Sequence, residues 1–203
     1  AGNYHCPDSF KDILRQYQET DSGLDYEYRR FYSAYDRIED TTAFEPLRDL
    51  VENIYTNEYL ETLLPKWNSA IQEPDAFTQL HLQRDFYARN VKNAKERTVV
   101  IISDAMRYEV GKELFRKMQD DPKCSAKLEM QLSVLPSYTR LGMAALLPHT
   151  ELTMTDDFKV LVDGLPCDNL SEREAILQKY NADAVCVQFD SIKSLKVAEL
   201  RSV

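Results

Sequence analysis

Apolar side chains recur along the first part of the chain at helical intervals. Phe10, Ile13, Leu14 and Tyr17 fall at i, i+3, i+4 and i+7. Tyr28, Phe31, Tyr32 and Tyr35 repeat that spacing, and so do Leu47, Leu50, Val51 and Ile54. Each set lies on one side of a 3.6-residue helix, so the segment up to about residue 95 reads as a series of amphipathic helices. Thr42 with Glu45 predicts a capping box, and Pro46 is tolerated in the first turn that follows. A fourth helix is expected to carry Tyr59, Leu63 and Trp67, with Pro65 marking a kink or break. The turn Glu73-Pro74-Asp75 then leads to a last helix through Phe77, Leu80, Phe86 and Tyr87.

After Arg97 the period changes. Thr98-Val99-Val100-Ile101-Ile102 is a short β-branched run of the kind found in strands buried on both faces. Val110, Leu114, Phe115 and Met118 mark an amphipathic helix. Leu128, Met130, Leu132 and Val134 alternate with Lys127, Glu129, Gln131 and Ser133, which predicts a strand with one apolar face. Leu141, Ala144, Ala145 and Leu147 predict a helix closed by Pro148. A short strand is expected from Lys159 to Val162, and Ser171 with Glu174 predicts a cap for a helix carrying Ile176, Leu177 and Tyr180. Ala184 to Phe189 reads as another buried strand, and Ile192, Leu195 and Leu200 as a terminal helix. Alternating strands and helices imply right-handed crossovers and a mostly parallel sheet. The expected chain is α+β overall, a helical domain over 1–96 followed by a partial α/β domain over 97–203.

Charge narrows the classes of partner. Among 203 residues, 34 are acidic and 25 basic, a net charge of −9, with no block of Lys or Arg. A general nucleic-acid or anionic-membrane binder needs a basic footprint, and none is present. No apolar run approaches the ~20 residues of a membrane span. Nine of the twelve tyrosines lie before residue 97. In an acidic segment and at helical spacing they read as packing rather than as a platform for bases. Cys6, Cys124, Cys167 and Cys186 are far apart, so four reduced thiols in a cytoplasmic protein are expected. Ala1-Gly2-Asn3, with no Met and no apolar signal, reads as a processing or expression remnant, and the chain as a piece of a longer protein.

Ligands of open α/β sheets bind at the carboxyl ends of strands. Two loops are expected there: Ser103-Asp104-Ala105-Met106-Arg107, and Pro136-Ser137-Tyr138-Thr139-Arg140. Asp104 offers a hard anionic oxygen to a divalent ion. The hydroxyl of Thr139 is too weak an acid to attack at neutral pH unaided, but a bound cation and a helix N-terminus both favour its alkoxide. Arg140 or Arg107 would neutralise phosphate oxygens. Each residue also has a plainer role: Asp104 and Thr139 as helix caps, the arginines as solvated charges. Ser137 is a rival nucleophile or a loop cap. His149 follows Pro148 at a helix end, and His5 and His81 have no ligand-spaced partners.

The stretches VVIISDAMRYEVGKEL and LSVLPSYTRLGMAALLPH resemble the PglZ family of the alkaline phosphatase superfamily, most narrowly the PglZ phosphatases of type 1 BREX phage-defence systems. A looser resemblance continues through VLVDG and SEREAILQKY, and the helical part is similar to the region that precedes the PglZ domain in the long BREX proteins. The resemblance implies a metal-binding role for Asp104, and for Thr139 the roles of nucleophile and metal ligand. It implies two zinc ions in the complete domain and hydrolysis of a phosphate monoester or diester through a phospho-threonine. It also implies later Asp and His ligands, which this chain does not supply. The chain is thus expected to carry half of a metal site and to be inactive alone, with the rest of the parent chain and other BREX proteins as partners. A non-catalytic scaffold of the defence complex is the second reading. A receiver domain lacks its acidic pair and its Lys, and a dinucleotide-binding domain lacks its GxGxxG.

Overall fold

The computed structural model describes residues 4–200 apart from Pro74 and Gln79. The expected remnant Ala1–Asn3 and the proline of the Glu73-Pro74-Asp75 turn therefore lie outside the described residues. About half of the chain is helical. The helices are α1 (Phe10–Gln16), α2 (Ser22–Tyr35), α3 (Glu45–Asn53), α4 (Glu61–Ala70), α5 (Phe86–Asn90), α6 (Tyr108–Gln119) and α7 (Thr139–Ala145). Strands β1 (Leu152–Met154), β2 (Val160–Val162) and β3 (Leu165–Pro166) follow, then α8 (Leu170–Gln178) and the short α9 (Phe189–Ile192) and α10 (Val197–Leu200). They group into two compact units. One comprises Ala1–Gln79 with Ala105–Met130, the other Leu80–Asp104 with Gln131–Val203.

In the first unit, Ser9 caps α1 by accepting from the Asp12 amide, and Phe10, Ile13 and Leu14 are buried as their spacing predicts. A π-helical turn, Tyr17–Asp21, joins α1 to α2. Five tyrosine hydroxyls are paired with carboxylates: Tyr4 with Asp21, Tyr17 and Tyr55 with Asp25, and Tyr28 and Tyr32 with Glu52. Helix α6 packs on α2, where Arg29 meets Glu113 at 2.9 Å and Lys112 donates to the Gln18 carbonyl at 2.9 Å.

Three local expectations change here. Thr42 opens a 3₁₀ turn and donates its amide to Asp40, while Phe44 stands at the N-cap of α3, so no Thr42–Glu45 box forms. The preceding tight turn already closes the backbone at that point. Helix α4 runs through Pro65 without a break, directly behind a π-helical segment, Ile54–Leu60. And α3 turns its apolar side outward, because its contacts to α2 are made by Glu52 and by the neighbouring Tyr55.

The second unit is built on an antiparallel sheet in the order β1-β2-β3, with Thr153 opposite Leu161 and Val162 opposite Leu165. Val160 and Val162 are fully buried against Ala144 and Leu147 from the α7 region, Cys167, and Ile176 of α8. Asn169, not Ser171, caps α8. Its side chain accepts from the Glu172 amide and Glu172 reaches back to the Asn169 amide, so the box lies two residues earlier than expected. The Ser171 hydroxyl instead donates to Asn169 Oδ1.

The expected parallel sheet differs most. Thr98–Ile102 forms no ladder, leaving Val99 73% and Ile101 83% exposed. Residues 184–188 likewise form no strand, and Phe189 begins α9. From the run 128–134 only Leu132 pairs, in a parallel bridge to Leu82. Strand propensity expresses the fit of a side chain to neighbouring strands and faces, so β-branched runs without such neighbours stay unpaired. The helix expected through Phe77 and Tyr87 is reduced to a 3₁₀ turn, Gln83–Asp85, and α5, and the terminal helix to α9 and α10.

Candidate active site

Helix α7 sits on the second unit through small side chains. Ala144 and Ala145 are fully buried, with Tyr138 and Leu141 packed at the edge of the same core. This fixes the C-terminal turn and leaves the N-terminal turn in solvent. Tyr138 is the N-cap residue and Thr139 the first helical one, so Thr139 does not cap the helix. Its side chain is exposed, and its hydroxyl has no hydrogen-bond partner among the described residues. The capping role weighed against chemistry for Thr139 is therefore not the one it plays.

Gln83, which the sequence reading passed over, braces this loop from both sides. Its Nε2 donates to the Gly142 carbonyl at 3.1 Å and its Oε1 accepts from the Val134 amide at 3.1 Å. A Cβ on Gly142 would stand 3.4 Å from Gln83 Nε2, an ordinary contact with the end of a flexible side chain. The one signal in the sequence is the alternation of Leu80 and Leu82 beside it, a short extended stretch that also supplies the bridge to Leu132.

Arg140 is half exposed and its Nε lies 3.8 Å from Asp168 Oδ1, a long, solvent-screened pair that leaves the guanidinium available to an anion. Asp104 is exposed at the end of the 98–104 run, and the next residue, Ala105, takes a left-handed φ of 54°. Asp104, Thr139 and Arg140 belong to the second unit, whereas Arg107 belongs to the first, at the N-cap of α6. Ser137 is exposed, and His149 holds the Leu147 carbonyl at 2.7 Å through Nδ1. Asp163, in a left-handed turn, accepts from the amides of Glu151 and Thr150 at 2.7 and 2.9 Å, and these bonds pull its carboxyl below the usual range.

Zinc takes four ligands in structural sites and at least three from protein in catalytic ones. No group of three His, Cys, Asp or Glu side chains is arranged to hold a metal among the described residues. Asp104 and Thr139 alone do not fit a zinc ion. Among the described residues no helix is long and apolar enough to cross a membrane.

Comparison with known proteins places these loops in context. Residues 85–203 match the BREX system PglZ alkaline phosphatase-like domain. The chain is 38% identical over 95% of its length to the alkaline phosphatase-like protein PglZ of Bacillus cereus (strain H3081.97). It is 33% identical over 98% of its length to the alkaline phosphatase-like protein BrxZ of Escherichia coli O9:H4 (strain HS). It spans 23% and 24% of those two relatives. No solved structure matches it.

Proposed function

Because the chain belongs to the PglZ alkaline phosphatase-like family of BREX systems, we propose that it is the nucleophile-bearing part of a longer, cytoplasmic phosphoesterase of phage defence. The observation that carries this reading is the hydroxyl of Thr139, exposed and uncommitted at the first turn of a helix anchored by Ala144 and Ala145 and braced by Gln83. In the reaction, Thr139 Oγ bonds to phosphorus as its proton departs, and the ester oxygen leaves and takes up a proton. Water then cleaves the Oγ–P bond and restores the threonine. Arg140 stands next in sequence to steady the phosphate oxygens, and Arg107 is the alternative candidate for that role.

The remaining metal ligands, and the two zinc ions they would hold with Asp104 and Thr139, are assigned to parts of the longer protein beyond this chain. The same assignment gives Thr98–Ile102 and residues 184–187 their places in a mostly parallel sheet, with the domain boundary near residue 97, and leaves the chain inactive by itself. The parallel bridge at Leu132 supports the competence of this region for such pairing. Other BREX proteins are the proposed partners. The second reading, a non-catalytic scaffold, is favoured by the outward apolar side of α3.

Zinc-supported hydrolysis of a chromogenic phosphodiester by the full-length protein separates the two. Thr139→Ala is expected to lower turnover roughly 10³-fold or more with little change in stability. Asp104→Ala is expected to lower bound zinc first. A folded Thr139→Ala protein with normal turnover sinks the nucleophile assignment, and inactivity of the zinc-loaded parent favours the scaffold.

A further inference from the structure

We propose that the outward side of α3, formed by Phe44, Leu47, Leu50 and Ile54, is a docking surface for a basic amphipathic helix of a partner protein. The inference is independent of the catalytic reading. Leu47, Leu50 and Ile54 share one side of the helix at 100° per residue, with Phe44 in the turn before it. Such a stripe ordinarily faces a core. Here the helix is held from its other side: Glu52 accepts from Tyr28 and Tyr32, and Tyr55 stacks on Tyr28 and donates to Asp25. The stripe is left in solvent, with Phe44 44%, Leu47 48%, Leu50 53% and Ile54 40% exposed. Single exposed leucines need no explanation, but Leu47, Leu50 and Ile54 along one side, with Phe44 in the turn before them, do.

The charges around the stripe select its occupant. Between positions 39 and 61 there are seven carboxylates and one cation, Arg48, and Arg48 is engaged by Asp49 at 2.8 Å. Around the exposed side of α3, beyond Leu50, come Asn53, Asp49 and Glu45, and Glu58 lies a turn past Ile54. A second copy of this chain, itself at −9, would set acidic rim against acidic rim. Anionic lipid and nucleic acid are repelled for the same reason. An amphipathic helix with apolar residues at i, i+3, i+4 and i+7 and Lys or Arg beside them satisfies both the stripe and its rim.

The probe is a fluorescein-labelled leucine–lysine peptide with its leucines at that spacing, titrated into the chain by fluorescence anisotropy. Two control peptides have the same composition with alternating leucines, or glutamate in place of lysine. Saturable binding by the first peptide alone is expected, weakening with added salt and falling roughly tenfold or more in Leu47→Asp/Leu50→Asp. Leu47→Ala/Leu50→Ala, with the helical circular dichroism unchanged, guards against misfolding and is expected to weaken binding in the same direction. Equal binding of the lysine and glutamate peptides, or no loss in either variant, overturns the proposal. So does a concentration-dependent dimer abolished by the same substitutions, which assigns the face to a second copy. Failure of the full-length protein to bind the peptide through this face also overturns it, since the occupant is then the protein's own continuation.

Discussion

Tyr28 lies face to face on Tyr55, with ring centroids 3.7 Å apart and planes 11° from parallel. The stack is closed at its edges by carboxylates, Glu52 for Tyr28 and Asp25 for Tyr55. Aromatic area and hydrogen bonding thus act at the same place, and this join, rather than an aliphatic seam, ties the α3 region to α2.

That construction has a signature in alkali. Burial first, and the bonds to Asp21 and Asp25 for Tyr4, Tyr17 and Tyr55, hold these hydroxyls and that of Tyr59 well above the ordinary tyrosine value near 10. The folded state keeps protons that the unfolded chain releases near pH 10, so this stabilisation is complete below that value and is lost as pH rises above it. Tyrosinate absorbance from these rings is expected to appear together with loss of helical circular dichroism. Their titration near pH 10 with the helices intact is the contrary outcome.

Replacing Gln83 removes partners from two backbone groups at once. Gln83→Ala leaves the Val134 amide and the Gly142 carbonyl unmatched, and about 1–2 kcal/mol of stability is expected to go with them. Denaturant titration measures the loss. In the full-length protein the same change is expected to lower kcat more than it raises KM, because it loosens the turn that presents Thr139. A variant as stable as the parent chain removes Gln83 from this role.

The cap of α8 gives a test of local structure alone. Asn169→Ala is expected to cost about 1 kcal/mol and Ser171→Ala clearly less, since Asn169 accepts from the Glu172 amide and Ser171 only donates to Asn169. The reverse order, read from thermal melts, supports the Ser171–Glu174 box instead.

Asp163 contributes in the acid range. Its folded carboxyl is held below the ordinary value near 4, so its stabilisation is present above that value and fades as pH falls through the lower folded one. Asp163→Asn keeps an acceptor but not the charge. Its stability deficit against the parent chain is expected to be largest near neutrality and to shrink towards pH 2. A constant deficit across that range points to a purely steric effect.

Much of the helical structure was legible because its periodicity is local. Phe10, Ile13 and Leu14 are buried as spaced, and Ala144 and Leu147 enter a core as their pattern implies. Leu47, Leu50 and Ile54 show the limit: period tells which residues share a side, while the tyrosine–carboxylate pairs decide which side packs. The β-branched runs show another. Val99 and Ile101 carry strand propensity, but a ladder needs a partner elsewhere in the chain, and no local pattern names one. At the candidate site, the position of Thr139 at a helix start was readable, whereas the brace from Gln83 depends on a contact 59 residues away in sequence.

The division of the chain into interleaved units bears on how the protein is made. The first unit draws α6 from Ala105–Met130, beyond a stretch that belongs to the second. On the ribosome, α1 to α4 emerge well before the helix that Arg29 and the Gln18 carbonyl engage, so this unit cannot close until Lys112 and Glu113 have left the exit tunnel. Residues 80–104 must meanwhile wait for the segment that begins at Gln131. Nascent chains arrested between those points would carry the apolar run Val99–Ile102 without its unit, and they are the species on which a chaperone would act.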